Sequence, residues 1–127
     1  MAMNNPYNQY KEQSIMTMTP GEQVVKLFEG CSKNLNYAKM YITEKKYDKA
    51  NEHLHKAKNI VRYLDDSLNH QYEISANLSA LYDYFARRIT QANVKKDISI
   101  LDEIIPMINE LGDSFKKADK ISRTTKK

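Results

Sequence analysis

The sequence predicts an all-α fold, an antiparallel up-down four-helix bundle with an N-terminal segment packing over an apolar groove. Three observations carry this. Apolar residues recur at steps of three and four through successive stretches of roughly 20 residues, the period of a helix with one buried stripe. The links between those stretches run to roughly four residues, which forces consecutive helices to lie antiparallel. Only three Gly and three Pro punctuate 127 residues, too few for a many-turned β-sandwich.

Residues 1–18 do not carry the helical pattern. Asn5-Pro6 favours a turn or an extended start, because proline disfavours the helical region in the residue before it. The segment nevertheless holds Tyr7, Tyr10, Ile15, Met16 and Met18, more apolar surface than a free tail displays. It is expected to lie against the body.

Thr19-Pro20-Gly21-Glu22 then reads as a capping box with Pro at the first helical position. The first helix follows with Val24, Leu27/Phe28, Cys31, Leu35, Ala38 and Ile42 on its stripe, and Glu44-Lys45-Lys46 breaks it. Asp48 is expected to cap the second helix. In that helix Tyr47, Ala50, Leu54, Ala57, Val61, Leu64 and Leu68 share one stripe. One flank of the stripe is polar, with Asn51, Glu52, Lys58, Asn59, Asp65 and Asp66. The other adds Ile60 and Tyr63, so the apolar face is wider than one packing seam needs.

Asn69-His70-Gln71 ends the second helix. The third carries Ile74, Leu78, Leu81/Tyr82, Phe85, Ile89 and Ala92, and Asn93 to Lys96 form a polar link. Asp97 caps the fourth, which continues through Ile98, Leu101, Ile105, Ile108, Leu111 and Phe115. Pro106 removes one of its backbone hydrogen bonds, so a kink near Asp102–Pro106 is expected. The whole chain, 1–127, is a single domain. It divides into an N-terminal lid segment 1–18, a helical bundle 19–115 and a basic tail 116–127.

Charge is unevenly placed. Lys116 to Lys127 hold six Lys/Arg against the single acid Asp119, while the overall net charge is only +4. The body is therefore almost neutral and the excess belongs to the tail, expected to be frayed and solvated. A nucleic-acid-binding bundle using that tail is a rival reading, although such proteins usually spread Lys/Arg over a folded face. No apolar run approaches the roughly 20 residues of a membrane helix, and Met1–Tyr10 lacks a signal-peptide core. Stable membrane insertion is not expected, and the cytoplasm is.

Nothing in the pattern argues for catalysis or for a cofactor. There is no G-x-x-x-x-G-K-[ST], G-x-G-x-x-G or G-x-S-x-G. Glu52-x-x-His55 has half the spacing of a di-iron site, but no second Glu-x-x-His exists and Glu52 lies on the polar flank. Cys31 sits on an apolar stripe with no histidine on its own helix, which predicts core packing rather than reactivity. Arg87-Arg88 reads as a structural ion pair, with contact to a partner as the alternative. Tyr37, Tyr41 and Tyr84 fit rims, whereas Tyr63, Tyr82, Tyr7 and Tyr10 suit a surface covered only part of the time. Either they complete the core or they belong to helix-in-groove recognition.

Several stretches resemble the flagellin-specific secretion chaperones of the FliS family. Asn5-Pro6-Tyr7-x-x-Tyr10 and Thr19-Pro20-Gly21-Glu22 with Leu27-Phe28-Glu29-Gly30-Cys31 are similar to its start. Lys56-Ala57-Lys58-Asn59-Ile60-Val61, with Leu64 and Ser67-Leu68, is similar to its second long helix. Ile74-Ser75-Ala76-Asn77-Leu78 through Leu81-Tyr82-Asp83-Tyr84-Phe85 and Arg87-Arg88 resembles the third, and Ala92-Asn93-Val94-Lys95-Lys96-Asp97 the link into the fourth. The resemblance runs from about Asn5 to Phe115. Phe28 stands where Tyr is usual and Phe115 where Trp is common; Lys26 replaces an apolar residue.

The resemblance implies a cytosolic, non-catalytic chaperone of flagellar type III export. It would bind the disordered C-terminal segment of flagellin and prevent premature polymerisation, as a monomer or weak homodimer. Flagellar regulators would be possible further partners, and no metal or cofactor is implied. It also implies that Asn5, Pro6, Tyr7 and Tyr10 occupy the empty client groove. The groove floor, or the packing beneath it, falls to Ile60, Tyr63, Leu64, Leu68, Leu78, Leu81, Tyr82 and Phe85. A helical chaperone or adaptor for another secreted subunit or regulator would use the same physics.

Overall fold

A computed structural model describes residues 18–125 of the chain, with side chains to residue 124. Four helices follow one another: α1 (Pro20–Thr43), α2 (Tyr47–Asp66), α3 (Ile74–Lys95) and α4 (Ile98–Thr125). There is no strand among the described residues. α1 packs on α2 and α4, α2 on α3, and α3 on α4. The chain thus closes an antiparallel ring, the expected all-α bundle.

The capping box at Thr19 forms as the sequence predicts. Thr19 Oγ1 accepts from the Glu22 amide at 3.2 Å, and Glu22 Oε1 accepts from the Thr19 amide at 3.0 Å. Asp97 likewise caps α4, its carboxylate accepting from the Ser99 amide at 2.9 Å. Both carboxyls are held below their ordinary range, Glu22 chiefly by its bond from the Thr19 amide, and Asp97 first by the Ser99 hydroxyl, which donates to it at 2.6 Å, and then by the Ser99 amide.

Asp48 does not cap α2. The helix starts two residues earlier than a cap at Asp48 would set it, with Lys46 at the cap position and Asp48 in the first turn. The cause is the tight link: Lys45 takes a left-handed conformation, φ 60°, and the Lys46 amide reaches back to the Tyr41 carbonyl at 2.8 Å. Asp48 still favours the positive end of the helix dipole there. α2 ends at Asp66, so Leu68 lies beyond the helix in a longer link, and α3 runs on to Lys95.

The core is built from the expected stripes. Leu35, Leu54, Ala57, Phe85, Ile89, Leu101, Ile105 and Ile108 are all buried, and Ile104, which the pattern did not place there, joins them. So is Cys31, whose thiol contacts the Ala57 carbonyl and is pushed up to about 12 by burial. A neutral thiol closed in by apolar side chains has no nucleophilic use. Ile74, placed on the seam by its spacing, is instead exposed at the start of α3.

α4 runs unbroken through Pro106, which faces solvent. Nor does α4 stop at Phe115. Asp119 lies over the first turn of α1, where a Cβ on Gly21 would come within 2.1 Å of its carboxylate. Arg123 pairs with Asp119 at 3.2 Å and with Glu22 at 3.7 Å. The stretch beginning at Lys116 is therefore helical to Thr125 rather than frayed, and its lysines are exposed.

A second close approach lies between α1 and α4. Gly112 is buried, and a Cβ there would stand 2.9 Å from Phe28 Cβ. That contact is near the backbone, so it cannot be relieved by rotating a side-chain tip. Gly112→Ala is expected to lower stability by about 1–3 kcal/mol, the usual cost of overpacking, as read by denaturant unfolding. It should do so despite alanine's better helix propensity.

Across the α3–α4 seam, Tyr84 Oη and Arg88 Nη2 (2.6 Å) both donate to Glu103. Arg88 Nη1 also donates to Gln91, at 2.7 Å. This is the structural ion pair expected for Arg88. The two donors hold the Glu103 carboxyl below its usual range, Tyr84 contributing most.

On the α1–α2 side, Asn34 Nδ2 donates to the Gly30 carbonyl at 2.8 Å, which turns its Oδ1 to accept from His53 Nδ1 at 2.8 Å. Burial, and after it Lys56, pushes His53 below its ordinary 6.5. A depressed pKa means the folded state binds fewer protons, so stability falls as pH drops. Melting temperature is expected to decline first below about pH 6.5 through His53, then below about pH 4.5 through Glu22, Asp97 and Glu103. His53→Gln should remove the first step in a series of melts from pH 8 to pH 4 and leave the second.

Candidate functional site

Up-down connectivity brings four helix segments to one end of the bundle: the start of α1, the end of α2, the start of α3 and the C-terminal part of α4. They leave a groove of about 360 Å³ between them. Pro20, Val24 and Leu27 line it from α1, Tyr63 and Leu64 from α2, Leu78 and Tyr82 from α3, and Phe115 from α4. The link closes it with Leu68, Asn69 and Tyr72. No charged side chain lines it among the described residues.

Polar bonds at the groove's edge tie its walls together. Ser75 Oγ donates to the Asn69 carbonyl at 2.6 Å and Ser67 Oγ to the Tyr63 carbonyl at 2.7 Å. Ser79 Oγ donates to Asp65 at 2.7 Å, tying α3 to the end of α2. These bonds hold the link against both helices. Beneath it Phe28 stacks on Phe115 with centroids 5.3 Å apart and meets Tyr82 at 6.3 Å. Tyr82 is buried, and its hydroxyl is pushed up to about 12, first by burial and then by Asp65. It stays a neutral phenol at any physiological pH.

The rim is a different environment. Tyr63, Tyr72 and Ile74 are 56%, 65% and 61% exposed. Three large side chains standing in water around an apolar trough make a surface built to be covered.

Five of the eight residues assigned to the groove from sequence, Tyr63, Leu64, Leu68, Leu78 and Tyr82, line it. The other three lie elsewhere. Ile60 is half-buried and faces Gly30 across the α1–α2 seam, Leu81 packs on the core edge, and Phe85 is interred. The α1 wall and Tyr72 escaped sequence reasoning. Val24 and Leu27 have ordinary seam spacing, and only the groove's shape separates them from core. Tyr72 did carry a signal, a large aromatic directly after the polar Asn69-His70-Gln71. Asn5, Pro6, Tyr7 and Tyr10 lie outside the described residues.

A second groove of about 420 Å³ runs along the α2–α3 face and shares Tyr82 with the first. Lys58, Arg62, Asp65, Asp83 and Arg87 surround its narrow apolar floor of Val61 and Ala86. Arg87 is already paired with Asp83 at 2.9 Å.

Among the described residues no group of three or more His, Cys, Asp or Glu is placed to hold a metal. No described helix is long and apolar enough to cross a membrane.

The family model for "Flagellar protein FliS" matches residues 3–122, nearly the whole chain. The flagellar secretion chaperone FliS of Bacillus subtilis is 40% identical over 118 residues, covering 93% of this chain and 89% of the relative. The chain belongs to the FliS family. This is a family of chaperones for the flagellum and not of enzymes. The FliS proteins of Salmonella typhimurium and Escherichia coli are each 30% identical, covering 84% of this chain and 81% of theirs. A crystal structure of a bacterial flagellar chaperone superposes with a TM-score of 0.75 at 22% identity, covering 91% of this chain and 95% of that one. That neighbour supports the bundle fold, and the FliS relatives supply the family.

Proposed function

We propose that this chain is a cytosolic export chaperone for flagellin and that the charge-free groove takes part of the flagellin C-terminal segment. The single observation behind this reading is the combination of an uncharged trough with an exposed Tyr63–Tyr72–Ile74 rim. A groove without charges leaves no ionic group to be stranded when a client covers it. It suits the apolar face of a helix or an extended apolar strand, with Gln23, Ser67 and Asn69 at hand for polar contacts. The relatives named as flagellar secretion chaperones give the client its class.

The N-terminal lid belongs to the same reading. Residues 1–17 join the bundle at Met18, whose carbonyl accepts from Gln23 Nε2 at 3.2 Å, next to Pro20 in the groove wall. As the family resemblance implies, a segment carrying Tyr7 and Tyr10 would compete with the client for the trough.

Calorimetry of the full chain against a synthetic flagellin C-terminal peptide tests this. The expected result is saturable binding with a large negative heat-capacity change, the mark of apolar burial with coupled folding. Removing residues 1–17 should tighten it. Absence of binding to that peptide, with and without the segment, would reject the flagellin reading.

A further inference from the structure

The end of the bundle away from the groove carries an aromatic stack under lysines. Tyr37 and Tyr41 of α1 flank His53 of α2, with centroids 5.1 and 5.5 Å from the imidazole. The Asn34–His53 hydrogen bond locks that ring in place. Lys33 Nζ stands 5.9 Å over the Tyr37 ring and Lys49 Nζ 5.6 Å over Tyr41.

Neither lysine pairs with a carboxylate among the described residues, although the chain offers acids close by. Glu44 is taken by Lys46 and Asp102 by Lys39. Lys56 adds a third positive charge near His53, against Glu52 alone. Tyr37 keeps 39% of its surface exposed. An ammonium over a tyrosine face is stabilised only modestly at an exposed site, so each head retains capacity for an anion. The ring contacts and the Asn34 bond set the stack's geometry in advance, which lowers the ordering cost when something settles on it.

We infer that this Tyr37–His53–Tyr41 face is a second docking surface, for an acidic, aromatic-bearing segment of a protein partner. Carboxylates on such a segment reach Lys33 and Lys49, while its aromatic ring lies against the open side of Tyr37. Three lysines offset by Glu52 suit a short acidic peptide better than a polyphosphate backbone, which needs a longer run of cations. Val24 in the groove and Tyr37 on this face are about 20 Å apart along α1, so both surfaces can be occupied together. The inference does not depend on the groove's client.

The test is an amide-resolved NMR titration of the full-length protein with a synthetic peptide of alternating glutamate and tyrosine. Saturable shifts are expected at Lys33, Tyr37, Lys49 and His53. Binding should weaken about tenfold between ~50 and ~300 mM salt, because exposed charge pairs are screened. Lys33→Glu combined with Lys49→Glu, both exposed side chains, should abolish the shifts with the circular dichroism spectrum unchanged, and Tyr63→Asp at the groove rim should leave them intact. Three results would overturn the assignment: equal binding of the glutamine version of the peptide, shifts confined to the apolar groove, or tighter binding of a single-stranded oligonucleotide or anionic vesicle.

Discussion

Leu68→Asp is expected to weaken binding of a flagellin C-terminal peptide by about 30- to 1000-fold while the bundle stays folded. Leu68 lies in the link after α2, half-buried, and lines the groove where no charged side chain does. In the free protein the introduced carboxylate can turn to water. Under a bound client it cannot, and nothing in the groove offers it a cation. Burying an unpaired charge at the centre of an interface costs about 2–4 kcal/mol, in the range of hot-spot truncations, and each 1.4 kcal/mol is a factor of about ten. Calorimetry of the variant beside circular dichroism separates the two effects. A change below about threefold with unchanged helicity would remove this groove from the client site. Tyr63→Ala, on the exposed rim, should act in the same direction with a smaller effect.

Phe85→Ala is expected to destabilise the protein by about 3–5 kcal/mol, enough to lower Tm by roughly 10–25 °C. Phe85 is 1% exposed, sits in the central cluster and meets the Tyr84 ring at 6.3 Å. The residues around it belong to four packed helices, which cannot collapse onto a cavity of that size without moving one another. Since natural domains hold only about 5–15 kcal/mol in all, this one truncation consumes much of the margin. Client affinity should then fall indirectly, by loss of folded protein. A thermal melt distinguishes this from Leu68→Asp, which should hardly move Tm. A Tm within about 3 °C of the parent would mean that Phe85 is not part of the tight core.

What could be read from residues alone followed the range over which the controlling forces act. The cap at Thr19 is set by groups three residues apart, and it was legible. So were the seams through Leu35, Leu54 and Phe85, because a period of three and four is itself the signature of burial. Asp48 misled because the strength of a cap depends on where the link lets the helix begin, and the left-handed Lys45 moved that point. The continuation of α4 past Phe115 was hidden for another reason. It rests on Asp119 meeting the first turn of α1, nearly a hundred residues away, and composition showed only a run of lysines.

The groove was half legible. The surplus apolar width of α2 pointed to Ile60 and Tyr63, of which only Tyr63 lines the groove, because width alone could not separate wall from support. Phe85 carries the same periodic signal as Leu64, and only packing decides which of them faces a void. The α1 wall of Val24 and Leu27 needed the placement of α1 across the groove from α3 before it could be recognised at all.

The grip of Asp119 and Arg123 on the opening turn of α1 has a practical side. It draws the exit of α4 to the same pole of the molecule where Met18 enters. An affinity handle or reporter fused before Thr19 or after Thr125 would therefore emerge beside the mouth of the trough, where bulk competes with whatever is meant to enter. A label grafted into the Glu44–Lys46 turn, at the opposite pole, avoids that obstruction and reports on the bundle without shading its entrance.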